Sequence, residues 1–254
     1  MLTAGCSASY NPAMRRLAFL LVVPIFLMAQ PAPEVEITAE PHHHFIFSNH
    51  EVRVFRVDVA PHSETLMHWH RHDYVYVTLG ACEVVNAVKD KPPTTFKLQD
   101  GDTNFLSATF AHIARNLSDQ SFRNVTIEIL EDAKLRHSPA HWDPAHPEED
   151  RGLDILQGGT RDILWVKDGI RASEFELQPG GLVPSQPHSH PLLLVAVSDL
   201  DLSFGDRRAH DAHQVLMPQM HLKSGNVTWL PSGFQLPTFN AGSQKAKFVT
   251  LEFP

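Results

Sequence analysis

Apolar and polar residues alternate with a period of two in several short runs of the chain. The clearest runs are residues 125–130, 174–177 and 248–253, and they are separated by Gly, Pro and Asp. Successive side chains of a β-strand point to opposite faces, so this pattern predicts strands with one face toward a core. No long helical pattern with convincing caps is present. The sequence therefore predicts an all-β protein, a sandwich or a barrel.

The first thirty residues follow a different pattern. Arg15 and Arg16 precede the apolar run Leu17–Ala29, which only Pro24 interrupts, and a polar, proline-rich stretch follows. This order of basic, apolar and small residues is typical of a secretory signal, and the run is too short to span a bilayer comfortably. A buried core helix is the alternative interpretation. We expect residues 1–29 to be a leader with a secretory signal, with Met14 as a second candidate start, and the mature protein to be periplasmic or secreted.

Composition excludes some classes of partner. The 254 residues are 43% hydrophobic and carry a formal net charge of −8, with no long basic run. This balance argues against nucleic acid or an anionic membrane surface as a partner. Loss of the leader would remove Cys6 and leave Cys82 as a lone thiol, which we expect to be a small buried apolar residue. The 17 histidines are unusual, because histidine is the commonest metal ligand.

An internal repeat divides the mature chain into two related halves. Residues 101–116 match residues 225–240 at a constant offset of 124. Upstream, His68-Trp69-His70 matches His188-Ser189-His190 at an offset of 120. Two spacings thus agree on a duplication, with a small length difference within one loop.

The repeated segment resembles the second sequence motif of the cupin superfamily, G-x5-P-x-G-x2-H-x3-N. The first copy has Ser and Thr where the motif has Pro and the second Gly; its matching residues are Gly101, Ser107, Thr109, His112 and Asn116. The second copy has Leu where the motif has His; its matching residues are Gly225, Pro231, Gly233, Leu236 and Asn240.

The first cupin motif, G-x5-H-x-H-x3-4-E-x6-G, is matched less closely. The residues in its positions are His62, His68, His70, Asp73 and Gly80. His62 replaces the leading Gly, Asp73 replaces Glu, and the gap before the acid is shortened. The resemblance implies a two-domain cupin, that is, two jelly-roll β-barrels from an internal duplication. The expected domains are an N-terminal arm (30–50), a metal-binding barrel (51–131), a linker (132–160) and a degenerate barrel (161–254).

The resemblance also implies a metal site in the first barrel. His68 and His70 lie two residues apart, so both can point into the barrel, and His112 would come from a neighbouring strand. Three imidazoles with the Asp73 carboxylate suit one divalent transition metal (Fe, Mn, Ni, Cu or Zn), with positions left open for water or substrate. The shortened gap leaves open that Asp73 lies outside the metal's ligands. His72, Tyr74 or Tyr76 would then line the cavity, because they share the parity of His68 and His70.

We expect the remaining histidines to be less important. His42-His43-His44 is interpreted as a solvated arm, and His210 and His213 as exposed loop residues. In the second half His188 and His190 persist, but no acid follows and Leu236 occupies the position of the third histidine. An apolar-lined barrel without metal is therefore expected there, which gives one metal per chain.

Two functions remain open from the sequence. The first is a metal-dependent enzyme of the dioxygenase, isomerase or lyase type that acts on a small organic substrate. The alternative is a non-catalytic exported protein that binds a small ligand. We expect a small-molecule partner, no nucleic acid, no membrane contact after removal of the signal, and a monomer or homodimer. Since one fold hosts many activities, the resemblance does not select among them.

Overall fold

The computed structural model describes residues 33–130, 152–184, 190–204, 219–233 and 239–254. Outside these ranges lie the predicted leader, the last residue of the predicted first barrel (131), residues 132–151 of the predicted linker, and His188, His210, His213 and Leu236. The described residues form strands joined by turns, with one short 3-10 helix at Ile37–Ala39. The all-β prediction is confirmed. Among the described residues, no helix has the length and apolar character needed to cross a membrane.

The first barrel consists of two five-stranded sheets. Its strands are β1 Val35–Glu36, β2 His43–Ser48, β3 Val52–Val59, β4 His68–His70, β5 Tyr74–Thr78, β6 Cys82–Val88, β7 Thr94–Leu98, β8 Thr103–Leu106, β9 Phe110–Asn116 and β10 Phe122–Ile129. One sheet has the order β1-β4-β9-β6-β7 and the other the order β2-β3-β10-β5-β8. Neighbours in the sheets are mostly distant in sequence, as in a jelly roll.

The second barrel repeats this arrangement in one larger sheet. Its strands are β11 Gly152–Lys167, β12 Ile170–Leu182, β13 Leu192–Ala196, β14 Leu200–Ser203, β15 Gln219–Leu222, β16 Val227–Leu230, β17 Phe239–Asn240 and β18 Ala246–Glu252. The order is β15-β14-β17-β12-β18-β13-β16, and β11 pairs with β12. The segment β12-β18-β13-β16 corresponds to β3-β10-β5-β8 of the first barrel, which confirms two jelly-roll barrels from an internal duplication.

Backbone details of the repeat agree between the two barrels. Gly101 and Gly225 have φ angles of +89° and +83°, which favour glycine. Asn116 and Asn240 are both buried, and each donates a side-chain hydrogen bond of 2.7 Å to the carbonyl four residues ahead. These asparagines therefore close the same turn in each barrel.

An ion pair between a buried glutamate and a partly exposed arginine is also duplicated. Arg53 faces Glu128 across β3 and β10, and its Nε donates to the carboxylate at 2.6 Å. Arg171 faces Glu252 across β12 and β18, and its guanidinium donates at 2.6 Å. Because the pair occurs in both barrels, we assign it to the architecture of the repeat and not to the histidine site.

The two barrels share one apolar core. Val125, Ile127 and Ile129 of β10 pack in the same cluster as Val249 and Leu251 of β18. The intervening polar residues of β10 are buried as well, because the other face of the strand points into its own barrel. The alternation in the sequence thus separates two buried faces, and not a core face from a solvent face.

The repeat glycines lie where the barrels meet. A Cβ atom on Gly101 would lie 2.6 Å from Cε of Lys247 and would clash with the Glu174 carboxylate of the second barrel. The Lys247 ammonium also donates to the Asp100 carbonyl at 2.8 Å. On the opposite side, a Cβ atom on Gly225 would lie 3.0 Å from Leu79 of the first barrel. Each turn glycine therefore serves the contact between barrels as well as its own turn.

Two expectations about chain segments differ from the structure. Residues 43–48, expected in an N-terminal arm, form β2 and pair with β3 of the first barrel. Residues 152–160, expected in a linker, belong to β11, which pairs with β12. Both segments add a strand at a sheet edge, and neither has a clear alternation of apolar and polar residues along the chain.

Candidate metal centre

Three histidines from two adjacent strands meet inside the first barrel. His68 and His70 occupy alternate positions of β4, and both are 1% exposed. In the antiparallel β4–β9 pair, His68 lies directly opposite His112. Directly opposed residues on one sheet face are close neighbours, so the register brings the third imidazole to the first two.

Their Nε2 atoms form a small triangle. The separations are 3.2 Å between His70 and His68, 3.2 Å between His70 and His112, and 3.0 Å between His112 and His68. An octahedral face with metal–nitrogen bonds of about 2.1 Å has edges of about 3.0 Å, whereas a tetrahedral edge is about 3.4 Å. The triangle fits three ligands on one face of an ion.

The hydrogen bonds made by the Nδ1 atoms of His68 and His112 determine that their Nε2 atoms carry the free lone pairs of the triangle. Nδ1 of His68 donates to the Leu66 carbonyl at 2.8 Å, and Nδ1 of His112 donates to Oδ1 of Asn86 at 2.6 Å. Both Nε2 atoms must therefore present lone pairs to one another. A proton on Nε2 of His70 could be shared with only one of the other two Nε2 atoms at a time. A cation bound between the three nitrogens would accept all three lone pairs, so the arrangement fits a bound cation.

His70 is oriented by stacking. The centroid of its ring lies 3.9 Å from that of Tyr74, at an interplanar angle of 18°. A second stacking contact is made with Phe110, at a centroid distance of 5.6 Å. Its Nδ1 is buried without a hydrogen-bond partner among the described residues. The His70 ring is therefore oriented by aromatic packing, whereas the rings of His68 and His112 are oriented by hydrogen bonds.

Burial keeps these imidazoles neutral. It lowers the pKa of His68 to about 4 and, together with the neighbouring histidines, lowers the pKa values of His70 and His112 well below the ordinary value. A neutral imidazole is the form that binds a metal. The three buried histidines thus form a possible metal site, in which the sequence-predicted His68, His70 and His112 are brought together.

Asp73 is not part of this cluster. One of its carboxylate oxygens accepts a hydrogen bond of 2.6 Å from the Ala108 amide, in the turn before β9. Of the other candidates, Tyr74 and Tyr76 line the cavity beside the histidines, whereas His72 does not. The parity argument therefore holds for the residues on β5 but not for His72, which precedes that strand.

His43 is a member of the site that the sequence interpretation missed. The expected solvated arm is wrong for this residue: its side chain is 5% exposed, and its ring centroid lies 4.7 Å from that of His68. Nδ1 of His43 bonds to Glu40 at 2.6 Å. Burial raises the pKa of Glu40, but hydrogen bonds from His43 and His42 outweigh it and lower this pKa to about 2. No periodicity in this segment pointed to His43, since Phe45, which shares its parity, is 61% exposed.

The cavity in front of the histidines is about 100 Å³ in volume. Its apolar wall includes Val57, Val84, Phe96, Leu98, Leu106 and Phe122. Asn104, Asn124 and Thr126 add neutral polar groups. Among the described residues that line it, none carries a lysine, arginine or carboxylate side chain. The chamber is thus apolar, with a few neutral hydrogen-bonding groups.

The interior of the second barrel is packed with apolar side chains, unlike the histidine-lined cavity of the first barrel. Phe175, Leu194, Leu202, Leu230 and Phe248 belong to one buried apolar cluster, and the rings of Phe175 and Phe248 stack 4.9 Å apart. Of the positions equivalent to the three histidines, only His190 belongs to the described part of the chain. The single-metal stoichiometry therefore stays a prediction.

Comparison with known proteins identifies the fold. No family model and no curated protein matches the sequence. Oxalate decarboxylase from Lactobacillus farciminis, solved as a formate complex, matches with a TM-score of 0.55 and 14% identity, over 85% of this chain and 84% of the other. AerE from Microcystis aeruginosa matches with a TM-score of 0.54 and 12% identity, over 85% and 98%. Oxalate decarboxylase from Bacillus subtilis gives 0.54 and 10%, over 85% and 76%. At these identities the likeness shows the fold alone.

Proposed function

We propose that this chain, which has the two-barrel fold of the cupin superfamily, is a metal-dependent enzyme acting on a small organic substrate in its first barrel. The observation that carries the proposal is the convergence of the three Nε2 atoms in the wall of a cavity. Three protein ligands leave room on the metal for water and substrate, as is usual in catalytic sites and unusual in structural ones.

Different residues of the first barrel would bind the metal, exclude water and orient the substrate. His68, His70 and His112 would hold one divalent transition metal, and the metal would supply Lewis-acid or redox chemistry. The apolar wall would exclude water from the bound substrate, which strengthens polar interactions inside the chamber. Asn104, Asn124 and Thr126 would donate or accept hydrogen bonds that orient it.

A neutral substrate suits the chamber better than a small dianionic acid. Two of the three structural neighbours described above are oxalate decarboxylases. In this chain, no cationic side chain is found among the described lining residues, so a dianion would have only the metal as a positive partner. We favour a dioxygenase, isomerase or lyase acting on an uncharged hydroxyl compound.

Metal analysis followed by an activity screen tests the proposal. We expect about one transition metal per wild-type chain, a strong loss in His70→Ala, and no loss in His62→Ala, whose side chain is 63% exposed. An oxygen electrode then separates the classes, because only a dioxygenase consumes O2. Absence of bound metal from wild-type protein would refute the proposal. Tight binding of a hydroxyl compound without turnover would favour the alternative, a non-catalytic small-ligand-binding protein.

We also propose that the protein is exported, to the periplasm or beyond. The support is the sequence order of Arg15-Arg16, the apolar run to Ala29 and the polar stretch that follows. N-terminal sequencing of protein from its native host should begin near Gln30. A cytosolic chain that still began at Met1 or Met14 would contradict this.

A further inference from the structure

We propose that His43, anchored by Glu40, accepts a hydrogen bond from a hydroxyl group of the ligand bound to the metal. This inference rests on the proposed metal site and adds a residue outside both sequence motifs. It also names a class of ligand: a compound that binds the metal through a hydroxyl oxygen and keeps its O–H.

Glu40 fixes the orientation of the His43 ring. The Glu40 side chain is fully buried, and its carboxylate accepts hydrogen bonds from the backbone amides of His42 at 2.8 Å and Leu66 at 3.1 Å. It also bonds to Nδ1 of His43 at 2.6 Å. Because an ionised carboxylate can only accept, Nδ1 of His43 must carry the proton. In the neutral imidazole the remaining nitrogen, Nε2, is then an acceptor.

The position of His43 suits contact with a ligand better than contact with the metal. Its ring centroid lies 4.7 Å from that of His68 and 6.4 Å from that of His70. The cluster of mutually close ligand nitrogens does not include it. Yet His43 lines the same cavity as the three histidines. It therefore stands beside the histidine cluster, in the wall of the same cavity.

The acceptor nitrogen has no other use within the described part of the chain. Only Nδ1 of His43 takes part in a hydrogen bond there, although the side chain is only 5% exposed. An unpaired acceptor costs free energy, and Nε2 of His43 is not one of the fully buried polar atoms, so a donor in the cavity can reach it. A hydroxyl group on the metal is a strong donor, because the cation withdraws electron density from its oxygen.

The test uses the full chain loaded with Co²⁺ under nitrogen, whose visible absorption reports ligand binding. Catechol is the probe that binds through a hydroxyl oxygen and retains an O–H, and azide is the probe that has no proton to donate. His43→Phe removes the acceptor but keeps a ring. His44→Phe is the matched control, since His44 is the exposed neighbour.

We expect His43→Phe to weaken catechol binding about tenfold, since a hydrogen bond to a ligand is worth about 1–1.5 kcal/mol. Azide affinity should change less than twofold, and the cobalt content should stay near one per chain. His44→Phe should match wild type in all three measurements. If His43→Phe does not fold, His43→Leu provides the same comparison.

The outcomes separate this inference from the proposed function. Wild-type protein without bound cobalt would overturn both. Wild-type protein that binds cobalt but not catechol, or equal catechol affinity in wild type and His43→Phe, would overturn the role of His43 and leave the metal site standing. Loss of cobalt in His43→Phe would make His43 a ligand and would also overturn the inference. Equal weakening of azide and catechol would mean that His43 only shapes the cavity, and would also overturn the inference.

Discussion

The turn before β9 contains a residue that is strained by its place in the repeat, and replacing it should stabilise the protein. Thr109 has a φ of +76°, although it is β-branched. The equivalent residue of the second barrel, Gly233, has a φ of +80°. Thr109 thus occupies a glycine position without being glycine, next to His112. We predict that Thr109→Gly raises the melting temperature.

The magnitude follows from two opposing effects. A side chain with a Cβ in the left-handed region costs about 1–2 kcal/mol. Glycine also lowers the free energy of unfolding by about 0.4–1 kcal/mol, because it gives the unfolded chain more conformational freedom. The backbone hydrogen bond of 2.8 Å from the Thr109 amide to the His70 carbonyl is unaffected by the change. The net gain of about 1 kcal/mol corresponds to about 2–4 °C for a chain of this size.

Thermal unfolding of the full chain, followed by circular dichroism, measures this effect. Thr95→Gly is the matched control, because Thr95 is exposed within β7 and has no positive φ. It should lower the melting temperature, since glycine within a strand costs about 0.5–1 kcal/mol. A decrease in Thr109→Gly similar to that in the control would refute the strain argument.

Three further predictions concern other single contacts. Gly101→Ala should destabilise the protein by up to about 1 kcal/mol more than Gly80→Ala in urea unfolding, because both have positive φ but only Gly101 meets the Glu174 and Lys247 side chains of the other barrel. Equal losses would exclude the barrel contact as a cause. Asn86→Ala should weaken metal affinity about tenfold by freeing the ring of His112, which metal titration against a competing chelator measures. Asp73→Ala should lower stability by about 1 kcal/mol but keep the metal, because its carboxylate holds a backbone amide. Loss of half the metal would instead place Asp73 among the ligands.

The histidine cluster could be predicted because its determinants are short-range or repeated. His68 and His70 lie two residues apart on one strand, and the copy at His188 and His190 marked the pair as part of a repeat. The resemblance to the cupin motif then supplied His112. The structure adds the register that sets His112 opposite His68.

His43 and Asp73 show where the sequence was insufficient. Three consecutive histidines have no periodicity of their own, so nothing local indicated that β2 would pair with β3 and place His43 beside His68. Asp73 stands near the position of a motif acid, but the shortened gap changes its direction, and its carboxylate meets the Ala108 amide. Which way a side chain points within a turn depends on backbone angles that spacing alone does not determine.

The sequence by itself determined the strand periodicity, the duplication and the spacing of the histidine pair, since each is a pattern along the chain. Tertiary structure decided which faces are buried and what each turn contacts. The polar face of β10 is buried because it points into one barrel while the apolar face packs on the other. Gly101 meets Glu174 and Lys247, residues far along the chain. Such contacts arise only when two barrels pack together, and that packing is a property of surfaces, not of local sequence.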